Sequence, residues 1–108
     1  MAITNTAITS TGTDIFVCPG GTSVQEHAVT CVIFCNVSDS LIVLTVHAVP
    51  IGSNVGNVNT IIKNLDIPAG ETFTFDTEKM VLKTGDKIHA IASSENALVS
   101  TVSSMRVS

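Results

Sequence analysis

The 108-residue chain has no tryptophan and no tyrosine, and its only aromatics are four phenylalanines. Glycan sites commonly stack sugars on Trp or Tyr, and single-stranded nucleic acid stacks its bases on aromatic platforms. A carbohydrate- or host-surface-binding module is therefore disfavoured. Charge is also scarce: 13 % of residues are charged, against about a quarter in an average soluble domain. That is too little to cover the whole surface, so part of it is expected to be buried against other subunits. Lys63, Lys79, Lys83, Lys87 and Arg106 are scattered and the net charge is −4, so no dense basic patch exists and no nucleic-acid partner is expected.

The three cysteines, Cys18, Cys31 and Cys35, are odd in number and include no CxxC pair, which argues against a disulfide framework. Reduced, buried thiols are expected. Cys31 and Cys35 sit four apart, roughly 13 Å along a strand and outside disulfide reach. The opening MAITNTAITSTGTD has neither a charged leader nor a continuous apolar core, so it does not read as a signal peptide. A cytosolic site of synthesis follows as an expectation.

One long stretch, TCVIFCNVSDSLIVLTVHAVP at residues 30–50, carries a single acid, Asp39, and no base. A membrane span needs ~20 continuous apolar residues, and NVSDS at 36–40 interrupts this one. No membrane partner is expected. The stretch reads instead as a β-hairpin, 27–36 pairing with 40–49 about the turn. That pairing would bring His27 and His47 toward one end.

Val, Ile, Thr and Phe dominate the apolar segments, and β-branched side chains suit a pleated strand. Turn signals recur every eight to twelve residues, at CPGGTS, NVSDS, PIGSNVGNVN, IPAGE, KTGD and SSEN, the spacing of an all-β sandwich or barrel. Strands are predicted at 2–9, 13–18, 27–36, 40–49, 59–66, 71–76, 79–83, 86–93 and 97–107. One helical turn could fall near Asp76 to Lys79. Phe73 and Phe75 alternate with Thr72 and Thr74, so 71–76 reads as half-buried. Pro68, Ala69 and Gly70 predict a type II turn just before it.

Strand 40–49 is apolar on both faces: Ile42, Leu44, Val46 and Ala48 on one, Leu41, Val43 and Val49 with Thr45 and His47 on the other. A sheet normally wets one face, so the second needs a cover, either a neighbouring subunit or residues 2–9 of the same chain. Leu41, Val43, Thr45, His47 and Val49, with Val55 and Val58 in the following loop, are the candidate subunit-contact residues. No catalytic, cofactor or metal site is predicted. His27, His47 and His89 lack metal-ligand spacing, Cys31 and Cys35 sit among apolar residues, and Asp76 with Glu78 reads as a solvated turn paired with Lys79. GSNVGN lacks the Lys-Ser/Thr of a phosphate loop. An enzyme is not expected.

The run IIKNLDIPAGETFTFDTEKMVLKTGDKIHAIAS, preceded by VIFCN and an apolar strand ending in HAVPIG and followed by VSTVSSMRV, resembles small structural virion proteins of tailed bacteriophages, including cyanophages. The resemblance covers roughly residues 27–107, and its most specific part is IPAGETFTFDTEKMVLKTGDKI. It implies a single antiparallel β-sandwich, immunoglobulin-like or jelly-roll-like, of about eight or nine strands at 27–108. Residues 1–26 would add a strand or arm packed on their own or a neighbouring subunit, giving one domain overall. It further implies a virion component made in the host cytoplasm, a capsid decoration or cement protein acting as a homo-oligomer, with a trimer favoured, on the major capsid protein or other virion proteins. A tail, neck or baseplate accessory subunit is the alternative. The family brings no catalytic residues.

Overall fold

The computed structural model describes residues 2–75 and 80–108. Within them the chain is all-β: β1 (Ala2–Ile8), β2 (Thr13–Val17), β3 (Glu26–Asn36), β4 (Ile42–Val49), β5 (Thr60–Ile67), β6 (Thr72–Phe75), β7 (Met80–Lys83), β8 (Lys87–Ala92) and β9 (Leu98–Arg106), with a 3-10 turn at Asn57–Asn59. The expected helical turn at residues 76–79 and the Asp76/Glu78 pair lie outside the described residues.

Two antiparallel sheets pack face to face as a single β-sandwich. Sheet A has the order β1-β9-β3-β6, with β7 also pairing with β3; sheet B has the order β2-β8-β4-β5. Counting β6 and β7 as one interrupted strand, the pairs are β1 with β9, β2 with β8, β3 with β6/β7, and β4 with β5. The chain is thus one long antiparallel ribbon, its tip at the β4–β5 connection, rolled so that away from the tip successive strands of the ribbon fall in opposite sheets. That is the strand order of a jelly roll, which decides between the two sandwich types the sequence allowed.

The expected hairpin between β3 and β4 does not form. β3 is flanked by β9 on one side and β6/β7 on the other, and β4 by β8 and β5. Both edges of each strand are occupied, so residues 37–41 carry the chain from one sheet to the other. Asn36 makes that crossing possible. Its side chain is fully buried, donates through Nδ2 to the carbonyls of Ser40 and Ile67 at 2.8 Å each, and accepts through Oδ1 from the Ser38 amide and hydroxyl. A buried amide is tolerated only when its bonding capacity is met, and here it pins the end of β3, the crossover and the end of β5 together.

The core lies between the inward faces. Ile8, Leu98, Val102, Val32 and Phe34 from sheet A meet Ile15, Leu44, Val46, Ile88 and Ala90 from sheet B, all at most 1 % exposed. Each large aliphatic or aromatic side chain buried in this way contributes about 1.5–3 kcal/mol. Phe73 and Phe75 face inward opposite Phe34 and Val32, as their alternation predicted. The type II turn also forms: Glu71 N–H donates to Pro68 O at 3.1 Å, and Gly70 takes φ +75°, open to glycine without steric penalty. It connects β5 in sheet B to β6 in sheet A, so its work is again a crossing.

Candidate interaction surfaces

Sheet B presents an outward face laced by side-chain bonds. Strand register sets His47 directly opposite His89, and His89 opposite Asp14. His89 Nδ1 lies 2.8 Å from Asp14 Oδ1, the two imidazole centroids are 6.4 Å apart, and His47 Nδ1 lies 3.1 Å from Thr60 Oγ1. A polar row therefore crosses all four strands, from β2 through β8 and β4 to β5. Lys87 Nζ adds a contact to Asp14 at 3.4 Å. Burial pushes the Asp14 carboxyl upward, but the His89 hydrogen bond, with the Lys87 and His89 charges, outweighs it and leaves the carboxyl below its ordinary value.

The chemistry of this row is structural. The Thr60 hydroxyl also reaches the Gly56 carbonyl at 3.2 Å, so the row ties the tip loop to the sheet. A β-carbon at Gly12 would collide with Nε2 and Cε1 of His89. The N–C–N edge of that ring thus faces β2 rather than His47, and the two imidazoles do not converge on a common point. Among the described residues no group of three or more His, Cys, Asp or Glu side chains is arranged to hold a metal ion. The sequence expected His27 and His47 to approach; β3 and β4 lie in different sheets, and His27 pairs instead with Leu82 and Arg106.

The seven expected contact residues divide. Leu41 is 51 % exposed and Val58 99 %, and Val55 is also exposed. Val43 and Thr45 are half-buried and line a shallow groove of about 280 Å3 with Ser10, Asn64, Ile91 and Ser93. His47 and Val49 are 6 % and 2 % exposed, taken up by their own chain, so they are not available as contact surface. Residues 2–9 do not cover this face either, because β1 lies in sheet A.

The outward face of sheet A holds none of the expected contact residues. Ile3, Ile33, Val81, Val99 and Met105 point outward there, with Cys31 and Cys35 between them. Ile3 is 70 % exposed and Val81 58 %. The two cysteines, expected to be buried, are half-buried on this face, while Cys18 is buried and its thiol is pushed upward by desolvation, with the Asp86 and Glu26 charges adding to it. Among the described residues the only charged side chains on the face are Glu26 and Lys83, cross-strand partners at one end. Ser108 donates its hydroxyl to Glu26 at that end, and elsewhere on the face Thr30 bonds Ser103 and Thr101 bonds Asn5, all uncharged. The signal for this face was in the sequence as Val99, Thr101, Ser103 and Met105 alternating with buried neighbours. That signal acquires meaning only with β3 beside β9, where the local sequence points to a hairpin with β4.

No helix of the described residues is long and apolar enough to cross a membrane. Comparison with protein-family models, curated proteins and solved structures found no match.

Proposed function

We propose that the chain is a structural subunit of a tailed-bacteriophage particle, a capsid decoration or cement protein that works by burying its own surface against copies of itself and against the major capsid protein or another virion protein. The observation that carries the reading is the outward face of sheet A, four strands wide and, among the described residues, charged only at one end. Exposed apolar sheet faces of this kind are avoided in monomers and used in assemblies. The virion resemblance of residues 27–107 supports the setting. At ~25 cal/mol per Å2 of apolar area, an interface of about 1,600 Å2 sustains attachment after the entropic cost of association. Repetition over a particle multiplies weak contacts into avidity.

The decisive experiment is quantitative mass spectrometry of purified particles, followed by heating of particles with and without the chain. The reading expects a fixed copy number per particle and genome release at a lower temperature without the chain, restored by adding purified protein. The Ile33→Glu/Val99→Glu double variant should fold but fail to restore. Absence of the chain from purified particles overturns the reading.

A further inference from the structure

The sandwich has four sheet edges, and three carry devices that stop another strand from pairing. β2 is five residues long, holds Asp14 and shifts register between Asp14 and Phe16. β5 carries Lys63 and Asp66, shifts register twice against β4, and holds Asn64 at φ +53°. The β6/β7 edge breaks register, with Phe75 opposite Val32 and Met80 opposite Val29. Bulges, charges and short lengths are how natural proteins blunt an edge. β1 has none of them. Its seven residues pair with β9 in unbroken register from Ala2↔Ser104 to Ile8↔Leu98, and AITNTAI contains no charge and no proline.

We propose that β1 is an assembly edge, and that its partner is β1 of a second copy, paired antiparallel about a two-fold axis through Asn5. The sequence of the strand favours that occupant. Reading outward from Asn5, Thr4 meets Thr6 of the other copy and Ile3 meets Ala7, so like polar residues face each other and a large side chain meets a small one. Cross-strand pairs on one face are the unit of sheet stabilisation, and an isologous contact of this kind closes at a dimer. Space is also available. Beside β1 the sandwich opens into a cleft of about 300 Å3 bordered by Thr4, Thr6, Phe16, Val17, Pro19 and His27. The inward Thr4 and Thr6 of the incoming strand face it. The two A sheets then become one continuous eight-strand sheet, and their apolar outward faces become one surface of twice the width.

A seven-residue strand is roughly 23 Å long, and one strand pair buries less than the about 1,200 Å2 at the lower end of stable complexes. The dimer is therefore weak in solution and reinforced by repetition on an assembly. Its symmetry is two-fold where the sequence favoured a trimer. The inference deepens the assembly reading above and rests on the self-association that reading contains.

The test uses purified chain alone, so its failure removes β1 pairing without touching attachment to a particle. Sedimentation equilibrium of the natural protein should show mass rising with concentration from 11.2 kDa toward twofold. The Thr4→Lys/Thr6→Lys variant brings four like charges together across the axis and should stay monomeric at every concentration. The Thr4→Lys/Thr6→Glu variant sets Lys against Glu and should dimerise again. Circular dichroism and thermal unfolding confirm that each variant is folded. Independently, Asn5→Cys places two thiols directly across the axis, within disulfide reach, and mild oxidation should yield a covalent dimer that the natural protein, with Cys18, Cys31 and Cys35, does not form. A natural protein that remains at 11.2 kDa, a Lys/Lys variant with unchanged association, a Lys/Glu variant that stays monomeric, or an Asn5→Cys protein that does not cross-link each overturns the proposal.

Discussion

The two sheets share a core and differ in what they show outside. On sheet B, the Asp14–His89 and His47–Thr60 bonds run from strand to strand, Thr45 meets Asn64, and the Val43 amide is held by the Ser93 hydroxyl at 3.0 Å. Its edges are bulged. On sheet A, Ile3, Val81 and Met105 stand exposed and the β1 edge is regular. A sheet that satisfies its outward polar groups within the chain is finished as a surface. A sheet that, among the described residues, is charged only at one end and keeps a straight edge is the one the proposed assembly would use.

Substitutions on the inner and outer sides of the same strand sharpen this difference most. Phe34→Ala empties core volume in β3 and should cost about 3–5 kcal/mol, read as a lower denaturant midpoint. Its neighbour Ile33 faces outward, so Ile33→Ala should change stability by less than about 1 kcal/mol. Equal losses at the two positions would mean that the outward face of sheet A is packed within the chain.

Asn36→Ala tests the link between the sheets rather than either face. It removes the buried donor to the Ile67 carbonyl and the acceptor of the Ser38 amide, and the cost should be about 2–3 kcal/mol, again from denaturant unfolding. A near-neutral result would show that the crossover holds without its amide.

A smaller effect belongs to sheet B. The folded Asp14 carboxyl titrates below its ordinary value of 3.8, so it binds fewer protons than in the unfolded chain as pH drops. Its contribution is present in full above that ordinary value and is lost as pH falls through the lowered folded value. Asp14 is 37 % exposed, and solvent screening keeps the contribution below about 1 kcal/mol. The stability difference between the natural protein and Asp14→Asn should be constant from pH 5 to 6 and shrink below pH 3.8. A difference that persists at low pH would place the effect in shape rather than charge.

The smallest predicted signal involves no stability change. Cys31 and Cys35 on the outward face of sheet A should react with a thiol reagent before Cys18, whose thiol is buried and pushed upward. Mass spectrometry after brief labelling reads the order directly, and labelling of Cys18 first would contradict the assignment of faces.

Much of the fold was legible from residue order. Nine strands, the inward Phe73 and Phe75 and the Pro68–Glu71 turn follow from alternation and turn chemistry, both local properties. The surfaces were less legible. Leu41, Val55 and Val58 are exposed as expected, yet His47 and Val49 are buried, and Thr60 engages His47. The His47–His89 approach joins residues forty-two apart in sequence, and no local pattern announces which strands will be neighbours.

The sequence by itself determined that this chain forms strands, that alternate residues point to opposite faces, and that too few charges exist to solvate the whole exterior. Those follow from side-chain type and a period of two, which need no knowledge of partners. The tertiary structure alone decided that β3 and β4 part into different sheets, that sheet A keeps the face with fewer charges, and that β1 is the one straight edge among the described residues. Strand order is settled by the packing of the whole ribbon on itself, and residues adjacent in the chain do not encode it.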